Sequence, residues 1–250
     1  MDRLWPADGA QQVDGDLETF YAYPEALQQP WVRVNFVSSL DGAVTVHGSS
    51  RGLSSPEDQR VLGLIRDLSD VVLVGAGTAI IEGYRAIKRK DDRTERRRRL
   101  GLSDVPPIAL VSNHCSIPPD SPLLTNAVVP PIVLTCRAAP ADRRAALLEA
   151  GADLVITGDA KVDLSEALAA LEARGLRRIG CEGGPTLFGD LIANDLVDEL
   201  CLSVSPLLTS GSASRIATGT PAEHPRGMRL LSALHADDSL LLLRYGRMPE

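Results

Sequence analysis

The fold is decided by one stretch in which an apolar segment passes through two glycines into a helix: residues 177–188 read Arg-Arg-Ile-Gly-Cys-Glu-Gly-Gly-Pro-Thr-Leu-Phe. Gly183 and Gly184 lack the Cβ atoms that would hold a backbone away from an anion. A helix beginning near Pro185 adds unpaired N–H groups and the positive end of its dipole, and a proline there loses no needed donor. The stretch favours a phosphate cradle, although an ordinary strand–turn–helix corner has the same sequence features.

Glu182 stands directly before these glycines, at the end of the apolar segment. A carboxylate at the end of a buried strand costs free energy unless another group pairs with it. A polar substrate is the partner that we expect.

Predicted strands and helices alternate along the rest of the chain. Strands are expected at residues 31–39, 70–78, 108–112, 131–135, 154–156, 199–206 and 240–245, with a short one at 43–46. Helices are expected at residues 54–68, 142–150, 163–175 and 186–193. The strand at 70–78 is continuously apolar, which predicts burial on both faces, and it is expected to end in a glycine loop. Residues 85–99 are strongly basic and are interpreted as a solvated surface loop or short helix.

This alternation predicts an α/β fold with a mostly parallel central sheet, flanking helices and antiparallel edge strands at the C-terminal end. Residues 1–29 show little periodicity and are interpreted as an N-terminal arm. Residues 30–250 show no internal linker and are predicted to form a single domain.

Composition limits the classes of partner. A net charge of −7 argues against a general nucleic-acid binder or a protein of acidic membranes, and we expect a small anionic metabolite instead. The four cysteines and four histidines have no metal-like spacing, so no metal site is expected and the thiols are predicted to be buried and free. Since no apolar run approaches the ~20 residues of a membrane span, we expect a cytoplasmic protein without membrane contact.

Three loops that follow strands are expected to meet around one crevice: residues 39–42, 75–78 and 182–185. The second is not a complete dinucleotide fingerprint, because Ile80 stands where the third glycine belongs. Asp41, in the first loop, has an equally simple interpretation as the cap of a tight turn.

Together, the motifs Ser39-Leu40-Asp41-Gly42, Gly75-Ala76-Gly77-Thr78 and Cys181-Glu182-Gly183-Gly184-Pro185, followed by Val197-Asp198-Glu199-Leu200 and Ser205-Pro206, resemble the reductase domain of the riboflavin-biosynthesis deaminase/reductase family. The resemblance runs from about residue 30 to residue 245. The zinc-binding signature of the partner deaminase domain is absent from the sequence, so a stand-alone pyrimidine reductase of the actinobacterial type is expected.

The resemblance implies a dihydrofolate-reductase-like fold, NADPH as hydride donor, a homodimer, and reduction of the ribosyl group of a 5-phosphoribosylamino-pyrimidine, such as 5-amino-6-(5-phosphoribosylamino)uracil. The implied cofactor contacts are Val37, Asp41, Gly52, Gly75, Gly77, Thr78, Glu82, Ser112, Gly183, Gly184, Pro185, Thr186, Leu187, Phe188, Gly189 and Asp190. The implied substrate contacts are Asn35, Ser50, Ser54, Arg66, Arg89 and Glu182. Glu182 and Glu82 are the candidate catalytic residues, for substrate orientation or proton handling.

The sequence departs from the family pattern on the substrate side. Asn35 replaces a common lysine, Gly52 replaces a tryptophan, and Glu82-Gly83-Tyr84 replaces an Asp-Asn/Asp-Pro segment. Two alternatives therefore stay open: the same fold reducing dihydrofolate or another pteridine, and a non-catalytic NADPH sensor. The choice between NADPH and NADH also stays open, because neither Arg137 nor Ser112 is certain to reach a 2′-phosphate.

Overall fold

The computed structural model describes residues 1–6, 12–13 and 15–248. The strands are β1 (Asp2–Trp5), β2 (Trp31–Ser39), β3 (Val71–Gly75), β4 (Ile108–Val111), β5 (Ile132–Thr135), β6 (Asp153–Ile156), β7 (Arg178–Cys181), β8 (Glu199–Ser205), β9 (Met228–His235) and β10 (Leu241–Arg247). The helices are α1 (Leu17–Phe20), α2 (Pro56–Leu68), α3 (Ala76–Ile81), α4 (Asp91–Arg99), α5 (Pro122–Thr125), α6 (Ala141–Glu149), α7 (Leu164–Glu172) and α8 (Pro185–Ala193), with a 3-10 turn at Ser50–Gly52.

All ten strands form one sheet in the order β1-β9-β10-β8-β2-β7-β3-β4-β5-β6. The strands from β8 to β6 in this order run parallel, and β10, β9 and β1 continue the sheet antiparallel. The α/β class and the mostly parallel sheet are confirmed. The outermost antiparallel strand, however, is β1 from the N-terminal arm, and the C-terminal strand β10 lies inside the sheet between β9 and β8.

Strand β3 lies at the centre of the apolar core. Val71 and Leu73 point into one cluster with α7 and α8, whereas Val72 and Val74 point into a second cluster on the opposite face. Burial on both faces is thereby confirmed. In the described part of the chain no helix has the length and apolarity needed to cross a membrane.

Helix α2 forms because its first turn is capped and one face is apolar. The Ser55 hydroxyl accepts a hydrogen bond from the Asp58 N–H, and Pro56 occupies the first turn. Val61, Leu64 and Ile65 are buried in a third apolar cluster, beside the N-terminal arm. The opposite face of α2 is left to line a cleft.

The N-terminal arm is fastened by a buried ion cluster. Arg33 of β2 and Glu199 of β8 are both fully buried, with Nε and Oε1 2.9 Å apart, and Arg244 of β10 also pairs with Glu199. Arg33 donates to the carbonyl oxygens of Tyr21 (2.6 Å) and Ala22 (3.2 Å). The two guanidinium groups therefore join the arm to three strands. Part of the arm, residues 7–11 and 14, lies outside the described residues.

Some predicted elements are wrong. Residues 43–46 form no strand, since only an isolated bridge joins Val46 to Ser49. The expected glycine loop at 75–78 is the start of α3, which needs no side-chain cap. The basic segment does contain a short helix, α4, but it is not simply solvated, because Arg97 is 1% exposed.

Replacing Glu199 by Gln should leave two buried guanidinium groups without their counter-charge. We expect a loss of about 3–5 kcal/mol in the free energy of unfolding, measured by urea denaturation. Glu172→Gln, which breaks the exposed pair with Arg177, is the matched control and should cost less than about 1 kcal/mol. Equal losses in the two variants would contradict the buried-cluster account.

The same cluster predicts a pH dependence. Burial alone would raise the pKa of Glu199, but Arg33 and Arg244 lower it below its ordinary value. The stabilisation is therefore complete above the pKa of an unfolded glutamate, about 4.3, and is lost as the pH falls through the lower pKa of the folded state.

Candidate active site

The carboxyl ends of the adjacent strands β2, β7 and β3 open into a cleft of about 560 Å³. One wall is the exposed face of α2, and the others are the segment 44–54, the α3 residues Thr78 and Ile81 with the following Glu82, and the start of α8. Ten of the predicted site residues line it: Asn35, Val37, Ser50, Ser54, Arg66, Thr78, Glu82, Glu182, Gly184 and Pro185.

Glu182 is held by a bidentate ion pair at one end of this cleft. Arg66 Nε lies 2.5 Å from Oε1, and Arg66 Nη2 lies 2.6 Å from Oε2. The Tyr84 hydroxyl donates to Oε2 at 2.6 Å. The carboxylate thus already has two partners within the chain, so a substrate is not needed to compensate its charge. Burial, reinforced by the charge of Glu182, raises the pKa of Tyr84 well above its ordinary value, so the phenol remains a donor.

Glu82 has a different set of contacts. Its Oε2 accepts from the Ser49 hydroxyl (2.9 Å), its Oε1 accepts from the Ser50 N–H (2.8 Å), and its carbonyl oxygen accepts from Arg51 Nη2 (2.8 Å). The Glu82 side chain therefore fixes the segment 49–51 against the end of α3. This arrangement suits positioning of the cleft wall better than proton transfer.

The paired glycines pack too closely for any side chain. Gly183 has a φ of 82°, and a Cβ atom there would lie 2.5 Å from Cζ of Phe36. A Cβ atom on Gly184 would overlap the hydroxyl of Thr78. The Gly183–Gly184 peptide bond is cis. Gly183 is therefore restricted to glycine by its backbone conformation as well as by Phe36, whereas a side chain at Gly184 would require the Thr78 hydroxyl to move. The backbone of Gly184 is thereby left to line the cleft.

Helix α8 begins at this surface without a side-chain cap, as does α3 beside it. The first N–H groups of α8 therefore remain available to an anion. Leu187 and Phe188 are buried, and Gly189 packs against the Thr218 carbonyl, so these three positions serve the core. Thr186 is exposed and Asp190 is half-buried, so only their side chains in this part of the helix remain accessible.

Two predicted residues lie away from the cleft. Arg89 is exposed and pairs with Asp104 at 2.8 Å, and it does not line the cleft. Asp41 lines a separate cavity of about 390 Å³. Its carboxylate accepts hydrogen bonds from the Ser39 hydroxyl and from the N–H groups of Ser210 and Thr209, which lower its pKa. These contacts are those of a turn cap.

The remaining predicted cofactor positions lie at the carboxyl ends of β3 and β4 or in the 3-10 turn at Ser50–Gly52. Gly75 donates its N–H to the Gly183 carbonyl (2.7 Å). Gly77 is exposed, and a Cβ atom built on it would have no neighbour within 4 Å. Ser112 is buried directly after β4. A Cβ atom on Gly52 would meet Val46 at 2.8 Å, so this glycine packs the segment that forms the cleft wall.

Asp58 is a cleft residue that sequence reasoning missed. Its side chain is 4% exposed, and its two oxygens accept hydrogen bonds from the Ser54 and Ser203 hydroxyls. Burial raises the pKa of Asp58 although both hydroxyl groups oppose the shift. No local signal distinguishes Asp58 from an acid in the first turn of any helix, since its partner Ser203 is far away in the sequence.

Gly183→Ala should destabilise the fold by roughly 2 kcal/mol or more, because the new methyl group meets Phe36 and the backbone conformation is left-handed. Gly63→Ala, in the middle of α2 with nothing within 4 Å of its Cβ, should instead stabilise by up to about 1 kcal/mol. Urea denaturation of both variants checks whether the free energy of unfolding falls in Gly183→Ala and rises in Gly63→Ala. A stable Gly183→Ala protein would contradict the close packing of the cradle.

Comparison with known proteins agrees with this geometry. A model of the RibD C-terminal domain matches residues 30–242. The 2,5-diamino-6-ribosylamino-4(3H)-pyrimidinone 5′-phosphate reductase of Archaeoglobus fulgidus is 30% identical over 187 residues, covering 74% of this chain and 84% of that protein.

Two solved structures share the fold. A pyrimidine reductase-like protein of Corynebacterium diphtheriae superposes with a TM-score of 0.80 at 24% identity, covering 88% of this chain and 93% of its own. Dihydrofolate reductase of Enterococcus faecalis superposes with a TM-score of 0.52 at 10% identity, covering 88% and 98%. The expected dihydrofolate-reductase-like fold is confirmed, and the chain belongs to the RibD C-terminal domain family.

Proposed function

We propose that this protein is an NADPH-dependent reductase that transfers a hydride to the ribosyl group of a phosphoribosylamino-pyrimidine in riboflavin biosynthesis. The observation that carries the proposal is the position of the Arg66–Glu182 pair, in the same cleft as the glycine cradle and the uncapped start of α8. The name of the Archaeoglobus relative supports the same reaction class.

The chain offers a fitting place for a dinucleotide. The backbone of Gly184 faces the cleft, and the free N–H groups at the start of α8 suit a pyrophosphate. Thr78 lies against Gly184, at the start of α3. NADPH, when bound, supplies the hydride, so no protein nucleophile is needed.

The substrate side of the cleft carries three guanidinium groups, those of Arg51, Arg66 and Arg93. Arg66 is committed to Glu182, whereas Arg93 shares the buried Asp67 with Arg96. One carboxylate between two guanidinium groups leaves a net positive charge at this end. Guanidinium groups recognise phosphate well, and Arg93 takes the place in the cleft that the resemblance gives to Arg89.

Reduction of a ribosylamine requires that the hydride reach C1′, that the bond from C1′ to the ring oxygen break, and that this oxygen take up a proton. The contacts of Glu182 favour orientation: it fixes the Arg66 fork and the Tyr84 hydroxyl at the cleft surface. Glu82 likewise orients the segment that carries Ser50. The homodimer remains a prediction, which sedimentation of the purified protein tests.

Glu182→Gln should lower turnover by roughly a hundredfold, because the amide cannot hold the Arg66 fork and leaves its charge uncompensated. Tyr84→Phe keeps the ion pair and should cost about tenfold or less. The measurement is NADPH oxidation with the phosphoribosylamino-pyrimidine as acceptor, beside a thermal melt that shows both variants folded. Unchanged kinetics in Glu182→Gln would contradict the role given to this residue.

A further inference from the structure

A second groove, of about 470 Å³, lies along the later turns of α8. Among the residues that the structure describes, it shares no lining residue with the cleft at the start of this helix. Its floor is apolar and packs on the outside of the core cluster that contains α7 and α8, through Ile192, Val197, Leu200, Ile216 and Ala217. The groove therefore has the size of a small-molecule site and is separate from the candidate active site.

One wall of the groove is the segment 215–217, which belongs to the connection between β8 and β9. The next residue, Thr218, donates its N–H to the Pro185 carbonyl oxygen at 3.0 Å. Its own carbonyl oxygen lies only 1.8 Å from the place that a Cβ atom on Gly189 would take. These two backbone contacts hold the wall against α8, so the groove is part of the fold.

The charged side chains that line the groove are mostly positive: Arg215, Arg226 and Arg247 against Asp195. Arg226 Nε and Arg247 Nη1 each lie 3.2 Å from an oxygen of Asp195. Arg247 also lies 3.8 Å from Asp198, which is outside the groove. Within the described ranges, Arg215 forms no ion pair. Positive charge is thus in excess, and the Arg215 guanidinium group is available to a ligand.

This charge decides between a second copy of the chain and a small ligand. A twofold contact places a surface against itself, so two positively charged rims would face one another. A small anion has the opposite charge, and guanidinium groups donate directed hydrogen bonds to carboxylate and phosphate oxygens. The apolar floor requires in addition an apolar body. Met228 and Met248 line the groove, and thioether sulfur packs favourably on aromatic rings, which favours a ring over an acyl chain.

We propose that this groove binds a small aromatic anion, whose ring packs on the apolar floor and whose carboxylate, sulfonate or phosphate group pairs with Arg215. The proposal does not depend on the proposed reductase function, because the groove and the cleft have different lining residues. A ligand there would contact Phe188, whose ring is stacked on Phe36 of the cleft wall with 5.3 Å between the ring centroids.

The test uses two probes with the same rings: anilinonaphthalene sulfonate and the uncharged N-phenylnaphthylamine. Binding is followed by NMR of protein labelled with carbon-13 at the methionine methyl groups. The chain has three methionines, of which Met228 and Met248 line the groove, whereas Met1 is buried in the third apolar cluster and serves as an internal control. We expect the sulfonate to shift the Met228 and Met248 signals without moving Met1. It should bind at least about tenfold more tightly than the uncharged probe, because a hydrogen bond to a charged group is lost in the latter.

Arg215→Glu removes the available guanidinium group and reverses its charge. We expect at least about a tenfold loss of affinity for the sulfonate and less than about a twofold change for the uncharged probe. Arg229→Glu is the matched control, since Arg229 is exposed, undergoes the same change of charge and does not line the groove. Equal losses of sulfonate affinity in the two variants would show an effect of net charge alone and would overturn the proposal.

Three further outcomes would overturn it. Arg215 also borders the cavity that contains Asp41, which no methionine lines, so sulfonate binding that leaves Met228 and Met248 unmoved would place the probe outside the groove. Shifts of these two signals on dilution without any probe would show that a second copy occupies the groove. Tighter binding of decanoate than of the sulfonate, with the same two signals shifted, would contradict the aromatic assignment.

Discussion

The site depends on the ion pair between Arg66 and Glu182. Glu182 follows a strand in the middle of the sheet and is almost fully buried, so its charge requires a fixed partner. Arg66 supplies it from α2, and Tyr84 adds a hydrogen bond from the segment after α3. Helix α2 and the segment that follows α3 are thus both held to one carboxylate.

The position of Arg66 depends in turn on α4. Asp67, the next residue of α2, is 2% exposed and pairs with Arg93 and Arg96. Arg97 donates to the carbonyl oxygens of Arg66, Asp67 and Ser69, where α2 ends and its carbonyl groups lack partners in the helix. The basic segment therefore supports the Arg66 end of the cleft, although it takes no part in the glycine cradle.

The sequence predicts best those elements whose surroundings produce a local sequence pattern. The continuous apolarity of β3 indicates a strand buried on both faces. The serine and proline before α2 and the glycines before α8 indicate where these two helices begin. Of the three loops that were expected to meet, 75–78 and 182–185 reach the cleft, whereas 39–42 lines a separate cavity. The other six expected residues that line the cleft were implied by the family resemblance and not by the loop pattern.

What the sequence did not predict depends on distant partners. Strand β9 is stabilised by pairing with β10 and β1, and its own pattern of exposure is irregular. The sequence does not distinguish Arg97 from a surface arginine, because its partners are carbonyl groups at the end of α2. Asp58 likewise resembles an ordinary helix-start acid, because its burial depends on Ser203, which lies on β8. Arg89 and Arg93 cannot be distinguished by composition, and only the folding of α4 brings one of them to the cleft.

We propose that the cleft places a nicotinamide against the ribosyl carbon of the substrate. The most direct measurement is the transfer of deuterium from NADPH labelled at C4 of the nicotinamide, with the label located in the product by NMR. We predict deuterium on the first carbon of the ribityl chain, C1′. Deuterium found only on a reduced pterin ring, or no transfer to any acceptor while the cofactor binds, would contradict it.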